Sequence, residues 1–306
     1  MNLTPQQPKW LSRSDPGRQP FVLTLCSAGD VDIQLQTVEQ TLGNEIAVSE
    51  RTRRDERCYE LIVECSPKQA WDLQQDLRGR LDDSDVYLQP GSATPIRMLV
   101  CDMDMTIVAA ETLDEVAEVL GMGERIAEIT ARAMRGELDF DDALRERIRM
   151  LRGQPEQAFH DVAAKLQLNP GASELIAAAK AAGVYCVLVS GGFTQVAEPV
   201  AQRLGFDDVF CNDLEVVDGL LDGTVNSPII NADFKCRILQ RCAFRNGLRL
   251  SECCAIGDGA NDLPMMLAAG LGIGYRAKPL LHAAVSCHID TTDLSSAIHF
   301  MRLDQA

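Results

Sequence analysis

Met98-Leu99-Val100-Cys101-Asp102-Met103-Asp104-Met105-Thr106 is a short apolar run that stops at an Asp-x-Asp pair. Four consecutive apolar residues without alternation fit a strand buried on both faces, as in a parallel sheet covered by helices. Downstream the pattern repeats. Apolar runs at 184–189, 209–211, 253–256 and 271–273 are separated by helical patterns such as 172–182, 195–204 and 234–246. Strands alternating with helices predict an α/β fold, a doubly wound parallel sheet. Helical periodicity also fills about 111–168, a helical insertion between the first two runs. The stretch 214–221 reads as a hairpin on an Asp218-Gly219 turn.

Upstream, 1–20 is polar and broken by prolines, so it reads as a disordered or loosely packed N-terminus and not as a secretory signal. Residues 21–90 carry the order strand-helix-strand-strand-helix-strand, which predicts a small α+β ferredoxin-like domain. The linker is 91–96, overlapping the turn-rich stretch Pro90-Gly91-Ser92-Ala93-Thr94-Pro95, and the α/β domain takes 97–306.

Lys and Arg number 29 against 45 Asp and Glu, a formal charge of −16. So acidic a chain argues against nucleic acid or an anionic membrane as partner, since both demand cationic patches. An anionic substrate would need a local cation or a metal. No run approaches the ~18 apolar residues of a membrane helix. The eleven cysteines lack metal-finger spacing, and reduced thiols in the cytoplasm are the simplest reading.

Ligands of a doubly wound sheet bind beyond the carboxyl ends of its strands. Three such ends carry reactive groups: Asp102-x-Asp104, Ser190-Gly191-Gly192, and Gly257-Asp258-Gly259-Ala260-Asn261-Asp262. A spacing of two points Asp102 and Asp104 to one side of an extended backbone, with Asp258 joining from another strand. Converging carboxylates repel unless a hard cation sits among them, and oxygen ligands favour Mg2+. Ser190-Gly191-Gly192 offers a hydroxyl and open N–H groups to a phosphate oxygen, although a plain strand–helix turn uses the same residues. His160, His282, His288 and His299 are scattered and read as packing or surface residues. Lys235, taken alone, reads as a solvated lysine.

In order, 99–106, Ser190-Gly191-Gly192, Lys235 and 257–262 resemble the four motifs of haloacid-dehalogenase-type phosphatases. Arg132-Ala133-Met134-Arg135-Gly136-Glu137-Leu138-Asp139-Phe140, Ser190-Gly191-Gly192-Phe193-Thr194 and Asn261-Asp262-Leu263-Pro264-Met265 are similar to the phosphoserine phosphatase branch of that superfamily. The resemblance covers about 98–293. Residues 21–90 resemble the ACT-type domain of some members. Met105 departs from the family pattern, which usually has serine there.

The resemblance implies a magnesium-dependent phosphatase that hydrolyses O-phospho-L-serine through an aspartyl-phosphate, completing serine biosynthesis. Asp102 would be the nucleophile and Asp104 the general acid, then base. Asp102, Asp258 and the carbonyl of Asp104 would hold Mg2+. Lys235, Ser190, Gly191 and Asn261 would face the phosphoryl oxygens, with Asp262 orienting Lys235 and Thr106 supporting the loop. The helical insertion 111–168 would act as a cap, in which Glu111 would meet the substrate ammonium and Arg147 its carboxylate, with Phe140 packed above. The alternative is a related phosphatase or phosphotransferase acting on another small phosphorylated amino acid, such as homoserine phosphate. A receiver-like or sensing module is the non-enzymatic alternative, though receivers lack the Asp104 position and a large cap. For the N-terminal domain, two roles stay open: L-serine as a feedback ligand, and homodimer formation through its sheet.

Overall fold

Six elements build the N-terminal domain: β1 (Gln19–Ser27), α1 (Val31–Leu42), β2 (Ala47–Arg53), β3 (Cys58–Cys65), α2 (Pro67–Arg80) and β4 (Ser84–Pro90). The computed structural model describes residues 7–11 and 17–303. Both helices are started by their own side chains. Asp30 accepts the Asp32 N–H, and Ser66 with Gln69 forms a capping box ahead of Pro67. The strands pair antiparallel in the order β2-β3-β1-β4, a ferredoxin-like arrangement.

Alternation along these strands sends Phe21, Leu23, Leu25, Leu61, Val63 and Leu88 against α1 and α2. The opposite face, with Cys26, Cys58 and Tyr87, joins the core of the second domain. For 7–11 the expectation of a loose N-terminus is corrected, because the Trp10 ring meets Phe21 edge-on at 5.0 Å. Lys9 Nζ also donates to the Ala269 carbonyl at 2.6 Å. The segments 1–6 and 12–16 lie outside the described residues. β1 starts at Gln19, two residues earlier than expected, and pairs there with Cys65.

The second domain opens with β5 (Met98–Cys101), and the chain leaves the sheet for α3 (Thr112–Val119), α4 (Gly123–Met134), α5 (Phe140–Met150) and α6 (Gln157–Lys165). It returns through α7 (Ala172–Ala181), β6 (Tyr185–Phe193), α8 (Thr194–Leu204) and β7 (Asp208–Asn212). A hairpin, β8 (Leu214–Val217) and β9 (Leu220–Val225), turns on Asp218 and Gly219, both at positive φ. Its Leu221 pairs with Gly153 and Gln154, so it props the cap. Then come α9 (Ala232–Arg245), β10 (Cys253–Gly257), α10 (Leu263–Ala268), β11 (Leu271–Tyr275), α11 (Pro279–Ala284), β12 (Cys287–Ile289) and α12 (Ser296–Phe300). The six-stranded sheet is parallel throughout, in the order β12-β11-β10-β5-β6-β7. No helix among the described residues is long and apolar enough to cross a membrane.

Asp85 joins the two domains. Its buried carboxylate accepts the N–H groups of Asp290 (3.0 Å), Thr291 (3.2 Å) and Thr292 (2.8 Å), and the Thr292 hydroxyl. Gln74 and Arg78 both donate to the Ser286 carbonyl, and Tyr87 packs edge-on against Phe300 at 5.9 Å. Asp85→Ala strands these donors, at a cost of about 2–5 kcal/mol. Urea unfolding is expected to shift to a lower midpoint; an unchanged midpoint contradicts the assignment.

Candidate active site

β10, β5 and β6 are neighbours at the centre of the sheet, and the chain runs outward from β5 through β6 to one side and from β10 to the other. The crevice beyond their carboxyl ends is a topological switch point, where such sheets bind ligands. Asp102 directly follows β5, fixed by its N–H to the Ile256 carbonyl at 2.9 Å. Lys235 reaches it from the first turn of α9, a helix started by Asn231, whose side chain accepts the Phe234 N–H. Lys235 is 1% exposed, with Nζ 2.6 Å from Asp102 Oδ1 and 2.8 Å from Asp262 Oδ1. Asp262 is wholly buried and its Oδ2 accepts the Gly259 N–H at 3.2 Å. Gly257 is required beside it: a Cβ there would lie 2.5 Å from the Asp262 carboxylate.

Burial acts to lower the Lys235 pKa, but Asp102 and Asp262 overcome it and leave the ammonium more basic than an ordinary lysine. Burial pushes Asp102 up, Asp262 pushes the same way, and Lys235 opposes both. Asp104 is raised to about 7, by burial and by the Glu111 charge, against the lowering effect of Thr112. A carboxyl in that range is able to hold and release a proton near neutrality.

Ser190-Gly191-Gly192 is not a plain turn. The three residues form a bulge in β6 between the pairs Val189↔Phe210 and Phe193↔Asn212. Ser190 is buried, and its Oγ accepts the Gly192 N–H at 2.8 Å. Asn212, absent from the sequence reading, holds the bulge by donating to the Gly191 carbonyl at 2.8 Å while accepting the Ile230 N–H. Asn169 was missed too. Its amide donates to the carbonyls of Met105, Thr106 and Val108 and so clamps the loop behind Asp104. Thr106 is buried there with its hydroxyl unpaired. Met105 has a left-handed backbone (φ 56°) and a 40% exposed side chain, so it turns away from the nearby carboxylates.

A cavity of about 230 Å³ lies between this edge and the cap. Asp102, Asp104, Gly191, Asp258 and Asn261 line it from the sheet, and Glu111, Phe140 and Arg147 from the cap. Of the expected residues, Ser190, Lys235, Asp262 and Thr106 stand behind that lining. Glu111 sits at the start of α3 without capping it. Phe140 overhangs Gly191, where an added Cβ would come 3.1 Å from its ring. The Nε of Arg147 is buried without a partner, and burial lowers the guanidinium pKa against the pull of Asp114 and Glu111. Lys278, absent from the sequence reading, also lines the cavity, 3.0 Å from Asp258 Oδ2 and 3.3 Å from Glu111 Oε1. Asn231 Nδ2 to Asp141 Oδ1, 3.0 Å, ties cap to core.

Carboxylate oxygens of Asp102, Asp258 and Asp262 lie within 4.8 Å of one another, all buried. An all-oxygen donor set suits a hard cation. Burial also pushes Asp258 up, and a divalent ion would reverse that shift, so the residues fit Mg2+. The Asp104 carboxylate points elsewhere, with Oδ1 3.4 Å from the Thr112 nitrogen.

Residues 99–267 match the family model described as haloacid dehalogenase-like hydrolase. A phosphoserine phosphatase of Lactococcus lactis is 45% identical over 204 residues, covering 67% of this chain and 94% of its own. A solved HAD-family hydrolase from Salmonella enterica is similar over 92% of this chain and 98% of its own, with TM-score 0.83 and 28% identity. That likeness extends through the N-terminal domain. A phosphoserine phosphatase solved as an analogue of its phospho-aspartyl intermediate covers 68% of this chain and 99% of its own, with TM-score 0.63 and 34% identity.

The raised Asp104 fixes the sign of a stability effect. Its folded state holds the proton more tightly than the unfolded chain does, so ionisation costs stability as pH rises from about 4 to about 7. In chelator-treated protein, Asp104→Asn is expected to raise the melting temperature at pH 8 and to lose that advantage below pH 4. An equal gain at both pH values contradicts it.

Proposed function

The chain belongs to the haloacid dehalogenase-like hydrolases and is a phosphatase, and from that premise we propose that it hydrolyses O-phospho-L-serine to L-serine and phosphate. One observation carries this reading. A single small cavity is lined by Asp102 and Asp104 and also by an acid, Glu111, and a cation, Arg147. Such a pair matches the ammonium and carboxylate of an amino acid, while a cavity of about 230 Å³ excludes a folded partner.

In the proposed mechanism an Asp102 carboxylate oxygen attacks phosphorus in line, and the bond from phosphorus to the seryl oxygen breaks. Asp104, protonated at the start, gives its proton to that departing oxygen. It then takes a proton from the water that attacks the aspartyl-phosphate, which restores Asp102 and frees phosphate. Lys235 spends two of its three N–H bonds on Asp102 and Asp262, leaving one for a phosphoryl oxygen. The Ser190 hydroxyl, the Gly191 N–H and Asn261 are assigned to the same oxygens, where the transition state spreads its charge. Asp262 keeps Lys235 in place, and Thr106 supports the loop. The carboxylates of Asp102 and Asp258 with the Asp104 carbonyl would hold Mg2+. When bound, the ion offsets the charge of the phosphoryl group and lets Asp102 ionise beside Asp104. Phe140 covers the site from the cap and excludes water.

In this reading the protein acts in the cytoplasm as the last step of serine biosynthesis. Its N-terminal domain is ACT-like, with L-serine feedback and pairing of subunits as its two candidate roles.

Phosphate release from O-phospho-L-serine is expected in Mg2+ and is expected to vanish with a chelator. No release from folded protein, with release from homoserine phosphate instead, overturns the substrate. Arg147→Ala is expected to cost about 2–5 kcal/mol with phosphoserine, at least about 30-fold in kcat/KM, and to spare a simple aryl phosphate. Equal losses on both substrates remove Arg147 from recognition.

A further inference from the structure

We propose that His282, His288 and Asp290 form a second cation site, suited to Zn2+, where the outer edge of the parallel sheet meets the N-terminal domain. Each of the three offers a ligand atom within 4.8 Å of the others. His288 carries the argument. It is 4% exposed, and its Nε2 lies 2.9 Å from the Val285 carbonyl. A carbonyl only accepts, so Nε2 bears the hydrogen and the lone pair of the neutral ring is on Nδ1. That Nδ1 is buried and has no hydrogen-bond partner. An orphaned acceptor of this kind costs free energy unless something occupies it.

The surroundings fit an ion. No side chain at Gly274 covers the orphaned atom; a Cβ there would come 3.2 Å from His288 Nδ1 and 3.0 Å from the Ala277 Cβ. An imidazole that donates its far N–H to a backbone carbonyl is oriented in the way metal-bound histidines commonly are. His282 Nε2 and Asp290 Oδ2 are 3.0 Å apart, near the ~3.3 Å edge of a tetrahedron with bonds of ~2.0 Å. The His282 ring stacks on His288 with centroids 4.0 Å apart. It lies at the end of α11 with its side chain 48% exposed, free to swing out of the stack and present a ring nitrogen edge-on to an ion held at His288 Nδ1.

Two imidazoles and a carboxylate select a borderline ion over Mg2+, with solvent as the fourth ligand. The site is therefore chemically distinct from the all-carboxylate cluster at the switch point. It is also mechanically placed. The Asp290 N–H is one of those held by Asp85, and Ser286, just before β12, takes Gln74 and Arg78. An ion here braces the seam between the domains.

Zn2+ titrated calorimetrically into the full chain in excess Mg2+ tests this against the double variant His282→Ala, Asp290→Ala. Both side chains are exposed, so the fold is kept, and the eleven thiols contribute equally to both proteins. Wild type is expected to bind one further equivalent, to melt at a higher temperature with Zn2+, and to give the visible absorption of four-coordinate Co2+ when cobalt is used. Equal stoichiometry in the two proteins, or cobalt bands that survive in the variant, overturns the site.

Discussion

A single buried ammonium organises the working edge of this protein. Lys235 is sealed from solvent and shared by Asp102 and Asp262, and each of the three comes from a different segment. Removing one partner of such a cluster leaves an uncompensated charge, typically costing 3–5 kcal/mol. Other features follow from this constraint: Gly257 without a side chain beside Asp262, the Asn231 cap that starts α9 one turn before the lysine's amine, and the Asp102 N–H tied to β10. The chain carries a formal charge of −16, yet this edge holds two lysines against its acids.

In the proposed function the cap adds selectivity to that edge. Glu111 stands at the N-terminus of α3 and Arg147 in the last turn of α5, where an acid and a base each favour their own helix dipole. Both therefore have local reasons to exist, and only their meeting across one cavity gives them a shared role. The Asp104 carboxyl lines the same cavity, and its affinity for a proton is set partly by Glu111. In the proposed mechanism, recognition and proton transfer are thereby electrostatically connected.

Much of this was legible in the sequence. Apolar runs marked five of the six parallel strands, and the Asp-Gly hairpin and the strand-helix order of 21–90 appear as read. The runs at 98–101 and 253–256 bury both faces, which leaves a plain signal. β12 was missed because it is only three residues long and contains a histidine. α10, α11 and α12 are five or six residues each, too short for periodicity to register. The residues that escaped notice act through the backbone or across long separations. Asn169 holds three carbonyls some sixty residues away, and its Asn-Pro step signals only a turn. Asn212 and Lys278 carry no local pattern at all. Trp10 lies in a proline-broken stretch, where nothing local announces that its ring will meet Phe21.

The central claim is that Asp102 takes up the phosphoryl group. Acid-quenching the enzyme during turnover of O-phospho-L-serine, followed by peptide mass spectrometry, reads this directly. A phosphoryl adduct on Asp102, absent from Asp102→Asn, is the expected result. Turnover without any adduct on Asp102, or an adduct on Ser190 instead, contradicts the account.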